Sequence, residues 1–351
     1  MPLLARMLAS PLSVDIRAGA VDALPALLHE RSISASGTVM VAVGPSTGAE
    51  IWRRVADAMP DADVHTVEGA SLAEAGRLQE RLGGKGYDAV VGIGGGQVLD
   101  VAKYAATRVA LPMVAVATSL AHDGLCSPVA SLLHPHGKGS FGVAMPLAVV
   151  VDLDYVRAAP PVLLAAGAGD VVSNLSAIAD WRLAAAERGE KVDGLALALA
   201  HTAAEAVVQR TDGVRDDAFL EVLAESLVLS GMAMSVAGTS RPCSGACHEV
   251  VHALDQAHPG AFQHGELAGL GALFATHLRG GDDLDRMLAT LRRLDLATVP
   301  GDLGLDDDAF VRAVLAAPGT RPDRYTILEH LDLDEAGARR ALASYVERVG
   351  G

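Results

Sequence analysis

The chain has 351 residues, long enough for two domains, and half of its residues are hydrophobic although aromatic residues make up only 3%. Its net charge of -15 argues against a nucleic-acid partner, because binding a phosphate backbone needs clustered Lys and Arg, and the sequence shows no such cluster. Three cysteines, Cys126, Cys243 and Cys247, are too sparse for a disulfide framework and indicate a reduced, intracellular protein.

The sequence predicts neither a leader nor a membrane span. The N-terminal residues MPLLARMLASPL have no sustained apolar core ahead of a small-residue cleavage site. The longest apolar run, around residues 227–238, carries Ser230 and Ser235 and falls short of the roughly 18 residues that a span needs. We therefore expect a cytoplasmic protein.

The first part of the chain alternates short β-branched runs with helical patterns, which predicts a parallel sheet with helices on both faces. Residues 124–138 contain Pro and Gly at several positions and are expected to be irregular, and residues 152–161 resemble a connector. The expected strands are residues 12–17, 38–43, 63–67, 88–93, 113–117 and 147–151, and the expected helices are residues 20–31, 48–58, 71–82 and 94–109.

Beyond Pro161 the pattern is helical throughout, with no convincing strand. The expected fold is therefore an α/β domain of residues 1–157 followed by an all-helical domain of residues 158–351. We interpret residues 167–170, Gly-Ala-Gly-Asp, as the start of one helix. Asp170 would be the N-cap of that helix or a functional carboxylate.

A glycine-rich turn, Gly94-Gly95-Gly96, joins an expected strand to an expected helix. Glycines in this context let backbone N–H groups approach a pyrophosphate at the positive end of the helix. The turn therefore favours a nucleotide site, although a purely structural turn stays possible. Asp100 and Lys103 follow in the first turns of the helix, either as functional groups or as a local polar pair.

The loop after the strand at residues 113–117 carries polar side chains at the carboxyl end of the sheet, where open α/β sheets bind ligands. Thr118 and Ser119 could bond phosphate or ribose oxygens, and Asp123 could bond a hydroxyl. An ordinary turn built from Ser, Asp and Gly would have the same composition.

Three histidines near residue 250 predict a metal site. His248-Glu249-Val-Val-His252 matches H-E-x-x-H, in which both histidines bind zinc and the glutamate is the general base of a metalloprotease. In the second interpretation His248 and His264 bind the metal with a carboxylate, and His252 is an acid or base.

Six segments in consistent order resemble the glycerol-1-phosphate dehydrogenases, within the dehydroquinate synthase-like and iron-containing alcohol dehydrogenase superfamily. Together they span roughly residues 10–290. The segments are GIGGGQVLDVAKYAA (92–106), ATSLAHDGLCSPVASLL (117–133), MPLAVVVDLD (145–154), AGAGDVVSNLSAIADWRLA (166–184), SGMAMSVAGTSRPCSGACHEVVHALD (230–255) and HGELAGLGALF (264–274).

The resemblance implies a Rossmann-like N-terminal domain and a helical C-terminal domain, with the active site in the cleft between them. It implies NAD(P) as cofactor and one divalent metal, with zinc the usual ion and nickel or iron as alternatives. The residues that it assigns are Gly95, Gly96 and Asp100 at the cofactor phosphates, Thr118, Ser119 and Ser127 along the cofactor, Asp170, His248 and His264 at the metal, Asp123 at the substrate or nicotinamide ribose, and His252 at the substrate.

The implied reaction is reduction of dihydroxyacetone phosphate to sn-glycerol 1-phosphate, a step of phospholipid biosynthesis, or of a related ketone. A phosphorylated triose or polyol is thus the expected partner, and the apolar helices favour a homo-oligomer. This chain departs from the family at Cys247, where a Glu is common. Only Lys138 is a candidate for the substrate phosphate, by position alone.

Two other functions are weighed against this one. A sugar-phosphate cyclase of the dehydroquinate synthase type would carry G-G-K-T-G-x-N in its middle loop, and the sequence around residues 131–134 does not match it. A zinc metalloprotease would explain HEVVH but would leave the glycine turn and Asp170 without roles.

Overall fold

The computed structural model describes residues 11–135 and 137–350, and the chain forms two compact units. The first unit includes the chain up to Leu120 and then Gly124–Ala159, and the second comprises Ala121–Asp123 and the chain from Pro160 onward. The leader prediction concerns mainly residues 1–10, which lie outside the described residues.

The first unit is built on a six-stranded parallel sheet in the order β1-β8-β5-β4-β2-β3. Every residue of the four central strands is buried, because helices cover both faces of a parallel sheet. This confirms the predicted α/β class. The strands are β1 (Ser13–Arg17), β2 (Val39–Val43), β3 (Asp63–Thr66), β4 (Ala89–Gly94), β5 (Met113–Ala117) and β8 (Ala148–Asp152), and the helices are α1 (Leu24–Glu30), α2 (Thr47–Val55), α3 (Leu72–Leu82), α4 (Gly96–Arg108) and α5 (Leu153–Arg157).

A β-hairpin interrupts this pattern between β5 and β8. Strands β6 (Val129–His134) and β7 (Gly137–Gly142) pair antiparallel. The prediction of an irregular segment was therefore wrong here, because the glycines lie within exposed or half-buried β7, where they do not prevent strand pairing. The predicted connector at residues 152–161 likewise contains the short helix α5.

The second unit is all-helical over its described residues, as predicted. Its longest helix begins at Pro161, so Asp170 lies in the helix interior and the predicted N-cap role is wrong. The helices are α6 (Pro161–Arg188), α7 (Gly194–Val208), α8 (Asp217–Ala237), α9 (Ala246–Ala257), α10 (His264–Arg279), α11 (Asp283–Arg293), α12 (Asp307–Thr320), α13 (Ile327–Leu331) and α14 (Glu335–Gly350).

Two glycines bring α6 and α10 into backbone contact. A Cβ atom on Gly169 would collide with the carbonyl oxygen of Gly265, and one on Gly265 would collide with that of Ala166. Close packing of this kind requires glycine on both helices. It sets Asp170, which follows Gly169, beside His264, which precedes Gly265.

Helices α6 and α8 are long and apolar enough to cross a membrane by length and composition alone. Their most apolar windows are 83% and 67% buried inside the protein, as in the core helices of soluble proteins, so this evidence for a span is weak. Alanine and leucine dominate the buried residues of this unit, which explains how a chain poor in aromatic residues fills its core.

Candidate active site

Asp170, His248 and His264 converge from three helices, α6, α9 and α10. Oδ1 of Asp170 lies 3.5 Å from Nε2 of His248 and 3.9 Å from Nε2 of His264. One ligand atom from each residue lies within 4.8 Å of the other two. Asp170 and His248 are buried and His264 is half-buried, so the group is reached from the His264 side.

This donor set fits a divalent cation. One carboxylate oxygen with two imidazole nitrogens is a set that zinc, nickel and iron accept. Tetrahedral zinc with bonds of about 2.0–2.2 Å holds its ligand atoms roughly 3.3–3.6 Å apart. The Asp170–His248 separation of 3.5 Å lies within this range, and the Asp170–His264 separation of 3.9 Å exceeds it by a few tenths of an ångström.

Neighbouring groups orient two of the three candidate donors, Asp170 and His248. The backbone N–H of Asp123 donates to Oδ2 of Asp170 over 3.0 Å, which leaves Oδ1 toward the histidines. Nδ1 of His248 lies 3.3 Å from Sγ of Cys247, whose thiol donates to the carbonyl of Ser173 over 3.9 Å. Cys247 therefore occupies the place of the hydrogen-bond acceptor that fixes a ligand histidine.

The carboxylate of Asp170 and the imidazole of His248 stabilise each other's charged forms. Burial alone raises the pKa of the Asp170 carboxyl, but the hydrogen bond to His248 and the nearby His264 outweigh burial and lower that pKa. Burial lowers the pKa of His248, but Cys247 and Asp170 outweigh it and raise that pKa. Asp170 is thus ionised, and a metal that binds here displaces a proton from an imidazole.

His252, one turn along α9 from His248, does not join this donor group. Its Nε2 accepts a hydrogen bond from Nη2 of Arg321 over 2.9 Å. Burial first, and then the positive charge of Arg321, lower the pKa of His252 to about 2. The ring is therefore neutral at physiological pH, with its proton on Nδ1.

Glu249, the central residue of the H-E-x-x-H match, is fully buried and bonded within the fold. Its Oε2 accepts from Oγ1 of Thr326 over 3.0 Å. Burial, followed by the charge of Glu329, raises the pKa of Glu249 to about 8. The residues of the metalloprotease pattern therefore have separate partners in the structure. Its second histidine, His252, contacts Arg321, and its glutamate, Glu249, bonds Thr326.

The predicted cofactor residues of the glycine turn lie together in the first unit. Gly95 is the N-cap of α4, and a Cβ atom there would lie 3.4 Å from Oγ of Ser119 and 4.0 Å from Oγ1 of Thr118. The Thr118 N–H donates to the carbonyl of Gly94 over 3.1 Å, which fixes the loop beside the turn. Gly96 is the first residue of α4, where backbone N–H groups lack intrahelical acceptors.

Asp100 and Ser127 are buried and take part in holding the hairpin. The Asp100 carboxylate accepts from the Ser131 N–H over 3.0 Å and lies 3.0 Å from the ammonium of fully buried Lys103. Lys103 also donates to the carbonyls of Gly124, Ser127 and Val129. Contact of Asp100 or Ser127 with the cofactor stays a prediction.

Several neighbours of the site were not identified from the sequence. Cys247 was noted only as a departure from the family, and Arg321 was not considered. The glycines beside Asp170 and His264 were a usable signal, because glycine next to a ligand marks close helix packing. No sequence signal links His252 to Arg321, 69 residues later.

Comparison with known proteins places the chain in a family. A family model described as iron-containing alcohol dehydrogenase matches residues 15–160. The NAD(P)+-dependent glycerol-1-phosphate dehydrogenase of Hyperthermus butylicus is 37% identical over 348 residues, which cover 97% of each chain. That of Methanosphaerula palustris is 36% identical over 324 residues, covering 91% of this chain and 89% of the relative.

Solved structures of glycerol dehydrogenases share the fold of this chain. A probable glycerol dehydrogenase from Sinorhizobium meliloti has a TM-score of 0.78 at 25% identity and covers 99% of both chains. Glycerol dehydrogenase from Schizosaccharomyces pombe, at 18% identity, shares the fold with a TM-score of 0.75 over 99% of this chain and 93% of that chain. Because curated relatives match nearly the whole sequence, this NAD(P)-dependent dehydrogenase belongs to the glycerol-1-phosphate dehydrogenase family.

Proposed function

We propose that this protein reduces dihydroxyacetone phosphate to sn-glycerol 1-phosphate with NADH or NADPH, in the cytoplasm and as a homo-oligomer. The observation that carries the proposal is the Asp170–His248–His264 donor set, in a chain whose relatives bear that enzyme's name at 36–37% identity. In this proposal residues 1–157 form the cofactor domain, and residues 158–351 form the metal and substrate domain.

Cofactor binding would use the turn before α4. The N–H groups at Gly95 and Gly96 suit a pyrophosphate, since they stand at the positive end of a helix. The adjacent hydroxyls of Thr118 and Ser119 would bond phosphate or ribose oxygens. Asp100 and Ser127 would act mainly by holding the neighbouring loop through Lys103.

Asp170, His248 and His264 would hold one divalent metal, for which we propose zinc. When bound, this ion would act as a Lewis acid toward the substrate oxygen. The reduction is balanced by hydride from the nicotinamide to the carbonyl carbon and one proton to the carbonyl oxygen, leaving the alcohol and NAD(P)+.

His252 and Asp123 would contact the substrate. Because Nε2 of His252 accepts from Arg321, the ring offers an Nδ1–H donor to a substrate oxygen. A ring with so low a pKa is a poor proton store, so we assign His252 to positioning the substrate by hydrogen bonding. Asp123 would bond a substrate hydroxyl or the nicotinamide ribose, while its N–H holds Asp170.

Steady-state oxidation of NADH and NADPH against a panel of ketones, led by dihydroxyacetone phosphate, tests this function. We expect turnover that a chelator abolishes and added zinc restores. The product should resist an enzyme specific for sn-glycerol 3-phosphate. Turnover that survives complete removal of metal, or exclusive reduction of unphosphorylated ketones, would contradict the proposal.

A further inference from the structure

Asp180 is a fully buried carboxylate in helix α6, on the same helix as the proposed donor Asp170. Its Oδ2 accepts a hydrogen bond from the N–H of Ala246 over 2.8 Å, and its Oδ1 accepts one from the N–H of Ile327 over 2.9 Å. Oδ1 also accepts from Nη1 of Arg279 over 2.6 Å. Both oxygens therefore hold other helices, since Ala246 begins α9, Ile327 begins α13 and Arg279 ends α10.

The amino-terminal end of α9 takes its cap from this carboxylate. Gly245, the residue before the helix, has no side chain to accept the first N–H groups, which lack intrahelical acceptors. A Cβ atom on Gly245 would collide with Oδ2 of Asp180. The glycine thus lets the carboxylate reach the N–H of Ala246, and the negative charge stabilises the positive end of the helix. His248 lies in the same first turn of α9, so this contact lies next to a proposed metal donor.

Arg279 joins the far end of α10 to the same region of α6. Its Nη1 bonds the carboxylate of Asp180 and its Nη2 bonds the hydroxyl of Ser176, each over 2.6 Å. The glycine contact between α6 and α10 lies beside the proposed donors, and this ion pair lies about three turns of α6 farther along. Two separated contacts fix both the shift and the rotation of α10 against α6. They therefore fix where α10 presents His264.

We propose that Asp180 is a positioning residue of the metal site, which brings His248 and His264 to Asp170 by holding the helices that carry them. Asp180 is not one of the proposed donors and acts on them only through α9 and α10. Because Asp170 and Asp180 share one helix, a helix held by Asp180 is also held relative to the donor carboxylate. This role rests on the metal site of the proposed function and adds a residue on which its geometry depends.

An amide in place of this carboxylate cannot satisfy all of its donors. The carboxylate accepts on one oxygen from Arg279 and Ile327 and on the other from Ala246, whereas Asp180→Asn has a single oxygen. That oxygen should face the guanidinium, since a hydrogen bond to a charged donor is the stronger one. The amide NH2 group then faces the N–H of Ala246, donor against donor. We expect the first turn of α9 to move away from α6, and His248 to move with it.

Zinc binding to the folded protein tests this role. The matched control for Asp180→Asn is Asp152→Asn, which changes a fully buried carboxylate of the first unit that accepts from the N–H groups of Gly19 and Val21. Both variants should be less stable to urea than the wild-type protein, because each leaves a buried N–H group without its acceptor. Only Asp180→Asn should lose zinc affinity, by roughly 10-fold or more in competition with a zinc-sensitive dye. A loss of stability by itself leaves the zinc affinity of the folded fraction unchanged.

Two further measurements report the same coupling. Cobalt(II) in place of zinc has a visible absorption that depends on its ligand geometry, so the spectrum should change in Asp180→Asn and not in Asp152→Asn. If Asp180→Asn does not fold, hydrogen exchange of the wild-type protein replaces it. Zinc should slow exchange of the Ile327 N–H at least several-fold, because α13 holds none of the proposed donors and Asp180 connects it to them. Exchange of the Val21 N–H, bonded to Asp152, should not change.

The outcomes separate this role from the metal site itself. If Asp180→Asn binds zinc as tightly as the wild-type protein and has the same cobalt spectrum, Asp180 serves stability alone and the metal site stands. An equal loss of zinc affinity in Asp152→Asn, or unchanged exchange at Ile327 on adding zinc, would likewise overturn the positioning role. If the wild-type protein binds no divalent metal, the proposed donor set fails and this role fails with it.

Discussion

At the residue scale, this site depends on contacts that fix which atom of each side chain is presented. The N–H of Asp123 takes one oxygen of Asp170, and Cys247 takes one nitrogen of His248. Each contact leaves one atom of Asp170 or of His248, Oδ1 or Nε2, available to the proposed donor set. The sequence allowed Asp170, His248 and His264 to be proposed as one donor group, which the structure brings together, but not these partners, because a contact between residues 123 and 170 leaves no periodic pattern in the chain.

The two interpretations of the histidine segment make opposite predictions for one pair of variants. We expect Asp170→Asn to lose bound metal and to lower kcat at least about 100-fold, since the only carboxylate of the donor set loses its charge. Glu249→Gln should retain metal and most activity, because Glu249 bonds Thr326 instead. Metal analysis and steady-state rates decide this, and retained metal in Asp170→Asn would refute the ligand set.

The neutral state of His252 predicts how stability depends on pH. Because its pKa is lowered to about 2 in the folded protein, the unfolded state binds one more proton below pH about 6.5. The wild-type protein should thus lose about 1.4 kcal/mol per pH unit, as pH falls below that value, relative to His252→Asn. Urea unfolding at several pH values, with chelator present, measures this difference. Parallel curves for the two proteins would show that His252 titrates normally.

At the element scale, the strands and helices of the first unit could be predicted because short β-branched runs alternate with segments of helical hydrophobic period. The expected strand at residues 113–117 agrees exactly with β5. Two wrong predictions, the helix start at residues 167–170 and the irregular segment at residues 124–138, share one cause. In both, glycine was interpreted as a residue that interrupts a helix or strand. In α6, Gly169 allows helix α10 to approach closely, and in β7 the glycines lie within a paired strand.

Helix contact at Gly265 predicts a variant that weakens the metal site without touching a ligand. We expect Gly265→Ala to push α10 away from α6, since its Cβ atom would collide with backbone atoms of Ala166. Zinc affinity should fall at least about 10-fold, because sub-ångström displacement of ligands impairs coordination. Competition with a zinc-sensitive dye measures the affinity.

The matched control is Gly76→Ala, in the interior of helix α3, where a Cβ atom would meet nothing within 4 Å. Alanine should stabilise that helix by up to about 1 kcal/mol and leave zinc affinity unchanged. Equal zinc affinity in Gly265→Ala and the wild-type protein would show that the close approach is not needed for the site.

At the scale of the whole molecule, the two units carry different parts of the proposed chemistry. The first unit supplies the glycine turn on a rigid parallel sheet, and the second supplies all three metal donors from helices distant in sequence. The fold class was predictable because the hydrophobic pattern alternates between strand and helix periods before residue 161 and has only the helical period after it. The composition of the site was less predictable, because helix packing brings together residues that no short motif connects.

The location of all three candidate donors in the second unit predicts which helices lose stability when the metal is removed. A ligand that binds only the folded state stabilises it by about 2.7 kcal/mol at 100 times its Kd, so chelation should lower the Tm by a few degrees. Because α6, α9 and α10 all donate ligands, hydrogen exchange should rise in those helices and stay unchanged in strands β4 and β5. The Asp170→Asn variant should show the faster exchange in these helices even without chelator, and adding chelator should not increase it further. A uniform rise across both units would instead mean that the metal stabilises the whole chain as one cooperative body.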